Sequence, residues 1–416
     1  MFHRNRFFLC LFSVKFVFLF FQEHTMNYIL FDGNVRNALL PFTYTRPVAD
    51  IRIGILTIRE KWEKRLGLTT TTITEEYLEE KYPMVEMDEN VMINEAFLPT
   101  KELVNKVKDL SENQAIFQGE EVIAFYTSGT QEEVDFDAYE QIEFEEALLQ
   151  VNNTWDIFSL NDKAIQEDFE LITEGRKSQP IPEGVQSINK ENIFIEEGAT
   201  VLFSSLNAST GPIYIGKDAQ IMEGCFVRGP LAMCENSVLK MGAKIYGATT
   251  LGPYCKVGGE VNNSVLFGYS SKGHEGFLGN SVLGEWCNIG ADSNTSNLKN
   301  NYAEVKLWNY ETGRFARTGL QFCGLMMGDH AKCGINTMFN TGTVIGVSAN
   351  IFGSGYPRNF VPSFSWGGAS GFTHYQLRKV FEVADVVMKR RNTELSEEDK
   401  NILEHVFEET SKYRNY

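Results

Sequence analysis

The chain has 416 residues, with 38 Lys and Arg against 55 Asp and Glu, for a formal charge of −17. Its 43% hydrophobic and 22% charged content excludes a largely disordered chain. The acidic balance excludes non-specific binding to nucleic acid, whose phosphates need a basic surface. Small phosphorylated ligands stay open, because a local pocket can oppose the overall field. The length predicts two or three domains. Twenty-eight of the 35 glycines lie between Gly198 and Gly371, so the two halves are built differently. Seven cysteines (Cys10, Cys225, Cys234, Cys255, Cys287, Cys323, Cys333) form neither a C-x-x-C pair nor a cluster with histidine. They read as free thiols used as small core residues in a reducing, cytoplasmic compartment.

In chain order, His3, Arg4 and Arg6 precede the apolar run Phe7–Phe21, which Lys15 interrupts. The run is short for a transmembrane helix, and no small-residue cleavage pattern follows it. Residues 1–25 are therefore read as an over-extended start with Met26 as the initiator. A membrane anchor is the rival reading, and the segment is set aside from the fold.

From Met26 to residue 184 the pattern is that of an α/β domain. Apolar strands at Tyr28–Phe31, Val91–Ile93 and Val122–Phe125 alternate with helical text such as Lys101–Leu110, which Pro99-Thr100 introduces. The acidic stretch 131–146 reads as a solvated face. The polar, proline-broken segment Ser178–Gly184 reads as a linker.

Residues 185–371 carry a repeat. Every sixth residue from Ile215 is apolar: Ile221, Val227, Met233, Leu239, Ile245, Leu251, Val257. After insertions the phase resumes as Phe277, Leu283, Ile289 and then Met327, Cys333, Phe339, Ile345, Ile351. A period of six fits neither a helix nor an ordinary strand, and it predicts a parallel β-helix in which each short strand turns one apolar residue inward. A helical tail over 372–416, with Ser396 as N-cap for Glu397–Glu408, is expected to cap the coils or contact another copy.

A β-helix names no chemistry by itself, so function is sought where the repeat breaks, at 259–276 and 291–324. The first break holds Gly273-His274-Glu275-Gly276. A neutral imidazole there could serve as a general base, although a plain surface loop histidine is the blander reading. The second holds the amide-rich run Asp292–Asn301, whose groups need partners if buried.

The stretch Ser271-Lys272-Gly273-His274-Glu275-Gly276-Phe277-Leu278-Gly279, followed by Asn288-Ile289-Gly290-Ala291 and Ser296-Asn297-Leu298-Lys299, resembles the acetyltransferase half of the bifunctional UDP-N-acetylglucosamine pyrophosphorylase/glucosamine-1-phosphate N-acetyltransferase family. The resemblance implies a left-handed β-helix, a homotrimer, and acetyl-CoA as acyl donor. It places His274 on the catalytic base and Asn297 on the asparagine that holds donor and amine in register. Ala291 falls on a small residue beside the CoA arm. Lys240, Glu260, Asn262 and Phe277 fall on the sugar-phosphate subsite. Phe277 stands where the family usually has tyrosine and Asn262 where it has a phosphate-gripping lysine, so acyl transfer is better supported than glucosamine 1-phosphate as acceptor.

In the front half, Arg36–Pro47 resembles the sugar-1-phosphate nucleotidyltransferase signature. That resemblance implies nucleotide contacts at Gly33, Arg36 and Arg46, and a magnesium site at which Glu95 replaces the usual aspartate. Only Gly33 represents the glycine-rich loop, and Val48 stands where a lysine is expected. Three readings follow. The first is an acetyl-CoA-dependent amino-sugar phosphate N-acetyltransferase with a nucleotidyltransferase-like front domain, in UDP-N-acetylglucosamine-type synthesis. The second is a nucleotidyltransferase with a structural β-helix. The third is a non-catalytic sugar-nucleotide scaffold. In the first two the partners are small phosphorylated sugars, with no nucleic acid and no membrane.

Overall fold

The computed structural model describes residues 26–128 and 134–416, and the expectations for residues 1–25, Cys10 included, lie outside them. Among the described residues the front region forms one sheet from β1 (Asn27–Phe31), β2 (Thr71–Ile73), β3 (Asn90–Asn94), β4 (Gln114–Gln118), β5 (Glu121–Thr127) and β6 (Glu140–Glu143), ordered β2-β1-β3-β5-β4-β6. β1 is parallel to β2 and β3, while β5 is antiparallel to β3 and β4. Alternation sorts the sheet's two sides. Tyr28, Leu30, Val91 and Ile93 join the main core with Trp62 of α1 (Ile58–Leu66) and Leu103 of α2 (Lys101–Lys108). Ile29, Met92 and Phe125 pack on the other side against Phe136 and Tyr139. Thr57 starts α1 with a capping box: its hydroxyl accepts from the Glu60 N–H at 3.2 Å, and Glu60 Oε2 accepts from the Thr57 N–H at 2.7 Å. The short α3 (Asp156–Ser159) and α4 (Asn161–Thr173) lead into the linker, where the Ser178 hydroxyl accepts from the Ile195 N–H of the first coil at 2.9 Å.

From Gln186 the chain winds into a parallel β-helix with three faces. Face one runs through Phe226–Arg228, Lys244–Tyr246, Glu260–Asn262 and Phe277–Gly279. Face two runs from Ile193–Ile195 to Phe360–Val361, and face three from Thr200–Val201 to Gly371–His374. The inward residues form one continuous stack that includes Ile215, Ile221, Val227, Met233, Leu239, Ile245, Leu251 and Val257, with cysteines 225, 255, 287 and 333 filling small gaps.

The six-residue phase first breaks after Val257. Val238 pairs with Lys256, 18 residues on, but Lys256 pairs with Ser271, only 15 on. The break at 259–276 is thus a shortened coil rather than an excursion. The inward positions shift to Val261, Leu266 and Leu278, so Phe277 faces outward, contrary to the periodic reading. The break at 291–324 is a true insertion and carries the antiparallel hairpin Lys306–Asn309/Arg314–Arg317.

Faces one and two differ in what covers them. On face two the outward side chains Val265, Phe267, Val282, Met326 and Val344 belong to the same buried cluster as the front sheet's core. That cluster also takes in Val380, Ala384 and Met388 of α5 (Leu377–Lys389) and Ile402, Leu403 and Val406 of α6 (Glu397–Glu409). Front region, face two and tail therefore share one core. Ser396 caps α6, as the sequence predicts, in a box with Asp399. Face one stays open, with Phe226 63% exposed. No helix among the described residues is long and apolar enough to cross a membrane.

Candidate active site

His274 lies in the turn between faces three and one, in the shortened coil, and its imidazole is exposed with no hydrogen bond among the described residues. The turn beneath it is fixed from inside. Lys272 pairs with Val257 at an inward position of the stack and is almost wholly buried. Its Nζ donates to the carbonyl of Gly258 at 2.9 Å and to that of His274 at 2.7 Å. Burial lowers its pKa to about 8, with Glu275 opposing. Neither stretch of the six-residue phase puts an inward position at 272, so the period alone does not single out this residue. Along the same corner, Ala291 stands one coil beyond His274, since the Asp292 N–H bonds Glu275 O at 2.9 Å. Exposed Met241 and Ile335 extend the column on either side.

Asn297 belongs to the opposite corner of face one. Its Nδ2 donates to Asn280 Oδ1 at 2.8 Å. With the Asn263 amide turned to donate to the Phe158 and Ala248 carbonyls, its oxygen accepts from Asn280 Nδ2 at 3.0 Å. Asn263, Asn280 and Asn297 thus form an amide ladder that gives each buried polar group a partner. Phe277 and Asn297 meet over Gly279, where a Cβ would stand 2.5 Å from the phenyl ring and 2.7 Å from the amide. Asn262 pairs with Gly279 on the same face. Glu260 Oε1 accepts from the Tyr246 hydroxyl at 2.6 Å. Lys240 lies at the His274 corner, where its charge bears on Lys256. The structure therefore brings Asn297, Phe277 and Asn262 together, and separately His274 and Ala291. No hydrogen bond joins His274 to Asn297.

The front residues have internal work. Arg36 is buried, with Nη1 donating to Asp32 Oδ2 at 2.7 Å and Nη2 to the Thr43 carbonyl at 2.5 Å and the Tyr77 hydroxyl at 3.0 Å. Arg46 reaches across to the β-helix, where it pairs with Asp329 and, at 3.4 Å, with Glu285. Thr45 also donates to Asp329, at 2.8 Å. Gly33 takes a left-handed φ of +60° after Asp32, with Asn94 Oδ1 only 3.0 Å from where a Cβ would stand. Glu95 is fully buried. Its Oε2 accepts from the Ala49 N–H at 2.5 Å, and burial together with Asp32 pushes its pKa well up. Enclosed and bonded to the Ala49 N–H, Glu95 does not fit a magnesium ligand, and no group of three or more His, Cys, Asp or Glu suited to a metal occurs among the described residues.

Residues 28–177, just over a third of the chain, match a sugar nucleotidyl transferase family model. No curated protein matches the chain in sequence. Among solved structures, a UDP-N-acetylglucosamine acyltransferase from Campylobacter jejuni is similar at 14% identity and a TM-score of 0.27, covering 54% of this chain and 95% of its own. The polysialic acid O-acetyltransferase OatWY is similar at 14% identity and a TM-score of 0.17, covering 46% of this chain and 87% of its own. At that distance neither carries an argument about activity.

Proposed function

We propose that the protein is an amino-sugar phosphate N-acetyltransferase that uses acetyl-CoA, with its front region serving as a sugar-nucleotidyltransferase-like domain in UDP-N-acetylglucosamine-type synthesis. The observation that carries this reading is His274: an exposed imidazole, free of protein partners, on a turn whose backbone a buried lysine holds in place. Acetyl-CoA supplies the thioester as co-substrate. His274 would take the proton from the attacking amine as the N–C bond forms and the C–S bond breaks, a contribution of about 10²–10⁴-fold. The column Met241–Ala291–Ile335 offers an apolar, small-residue wall beside it, and the open face one supports a homotrimer that shares the site between copies.

The test is thiol release from acetyl-CoA with a panel of amino-sugar phosphates. Turnover should fall at least 100-fold in His274→Ala at unchanged melting temperature. Undiminished turnover, or none in the wild-type protein with any acceptor, would remove the proposal.

The family match over residues 28–177 favours a second reading, in which the front region makes a sugar nucleotide and the β-helix is structural. Its measure is magnesium-dependent pyrophosphate release from a nucleoside triphosphate and a sugar 1-phosphate. The internal commitments of Arg36, Arg46 and Glu95 give it less support than His274 gives the first.

A further inference from the structure

On face three, opposite the His274 turn in each coil, the outward ladder reads Lys256, Ser271, Asn288, Lys332 on successive rungs. At about 4.8 Å per rung the two lysines stand about 14 Å apart. The C-terminal end of α5 lies over this ladder and adds Arg390 and Arg391, which enclose a cavity of about 310 Å³ whose wall includes Tyr269 and Trp286. That is the lower end of the size range of small-ligand sites.

Three observations set this groove apart from a solvated basic surface. First, none of the four cations forms an ion pair within 4 Å among the described residues, whereas neighbouring Lys389 is paired with Asp385 at 2.7 Å. Burial lowers the Lys256 pKa, and Arg391, Lys240 and Arg390 lower it further, so its charged neighbours there are all cations. Second, Lys332 is inserted rather than splayed. Its Nζ donates to the His330 carbonyl at 2.8 Å, and burial brings its pKa down to about 8. Third, the wall is stiff. Tyr254, Tyr269 and Trp286 stack in series, with Tyr269 and Trp286 at 4.2 Å and 13°. All three hold a left-handed backbone (φ +58°, +54°, +60°), which is unfavourable for bulky residues. A protein of charge −17 that gathers four cations without ion pairs around a cavity with a stiff wall has built a place for an anion.

We infer that this groove binds a diphosphate-bearing small molecule, with Arg390 and Arg391 closing over phosphoryl oxygens that Lys256 and Lys332 receive from the β-helix side. Four positive charges exceed what one phosphate monoester can neutralise, and they suit the three or four negative charges of a diphosphate. Arginine forks supply bidentate bonds to phosphoryl oxygens. This inference is independent of acyl transfer at His274.

The experiment is calorimetric titration of the full chain at low ionic strength with inorganic pyrophosphate, ADP and inorganic phosphate in separate arms. Pyrophosphate should bind saturably at one site and at least tenfold tighter than phosphate. Equal affinity for ADP assigns recognition to the diphosphate alone, and tighter ADP binding adds a contact to the nucleoside; both uphold the site. Arg390→Gln/Arg391→Gln should weaken pyrophosphate at least tenfold, as should Lys256→Gln, while Lys389→Gln and His274→Ala leave it unchanged. Absence of saturable pyrophosphate binding, equal affinity in the arginine variant, or loss of binding in His274→Ala would each overturn the assignment.

Discussion

Replacing Lys272 by methionine isolates the polar rung inside the β-helix. The wild-type ammonium sits in the column of Val257, and burial brings its pKa from the ordinary 10.5 to about 8. Between those two values the unfolded chain holds the proton while the folded chain has released it. Stability therefore rises with pH across that window and is lost again as pH falls through about 8. At 1.36 kcal/mol per pH unit the gap amounts to about 3 kcal/mol. At neutral pH two effects oppose each other in the variant. Removing a buried charge is often neutral or stabilising, but the carbonyls of Gly258 and His274 lose their donor, at about 1–3 kcal/mol for each left unsatisfied. The pH dependence separates them, because the lost donor costs about the same at both ends of the window. Urea unfolding of both proteins at pH 7.5 and 10.5 is the assay. Wild-type stability should gain about 3 kcal/mol on Lys272→Met between the two conditions. Lys332, also brought down to about 8 by burial, contributes a rise common to both proteins. Parallel pH profiles would refute the reasoning, since Lys272 would then titrate alike in the folded and unfolded chain.

Asp329→Ala should cost about 3–5 kcal/mol, because it leaves the buried Arg46 guanidinium without its nearest carboxylate and the Thr45 hydroxyl without an acceptor; a lower melting temperature and faster proteolysis of the front region would show it. Gly279→Ala should destabilise by about 1–3 kcal/mol, since its Cβ would strike both the Phe277 ring and the Asn297 amide. Gly273→Ala, whose nearest contact would be an ordinary 3.5 Å to Ser271 Oγ, should melt like the wild type. Paired melting curves check both, and equal curves for the two variants would contradict the packing described at that corner.

The β-helix was legible because its interior repeats: one apolar residue in six survives any decoration of the outer faces, and Ile215 through Val257 point inward as the period requires. The phase misplaced Phe277 because the step from inward Leu278 to inward Leu283 is five residues rather than six, so a count of six back from Leu283 lands one residue short. The ends of α2 and α6 were legible from Thr100 and Ser396, whose hydroxyls accept backbone N–H bonds at 3.1 Å. The division of labour among charged residues was not legible. Arg46 and Asp329 lie 283 positions apart, and the cations of face three come together only because the end of α5 folds back across the coils that carry Lys256 and Lys332.

That difference bears on how the front region's arginine signature should be weighed. A residue type retained at a signature position can be held there by packing as well as by a nucleotide, and here the geometry decides between them. Arg36 spends its guanidinium on Asp32, Thr43 and Tyr77, which fixes the segment ahead of Pro47. Arg46 spends its own on Glu285 and Asp329, which ties that segment to the β-helix. A nucleotide would have to displace buried, charge-assisted bonds to reach either one, at about 1.5–3 kcal/mol apiece. His274 has no such bond to displace, and of the groove cations only Lys332 is bonded, to the His330 and Trp286 carbonyls. Since the interior of the β-helix is nearly the same rung after rung, its chemistry must be assigned by what lies outside each face. Face two is taken up by folding, while the His274 turn and face three under α5 keep polar groups without ion-pair partners, and these are the places where a ligand gains most by binding.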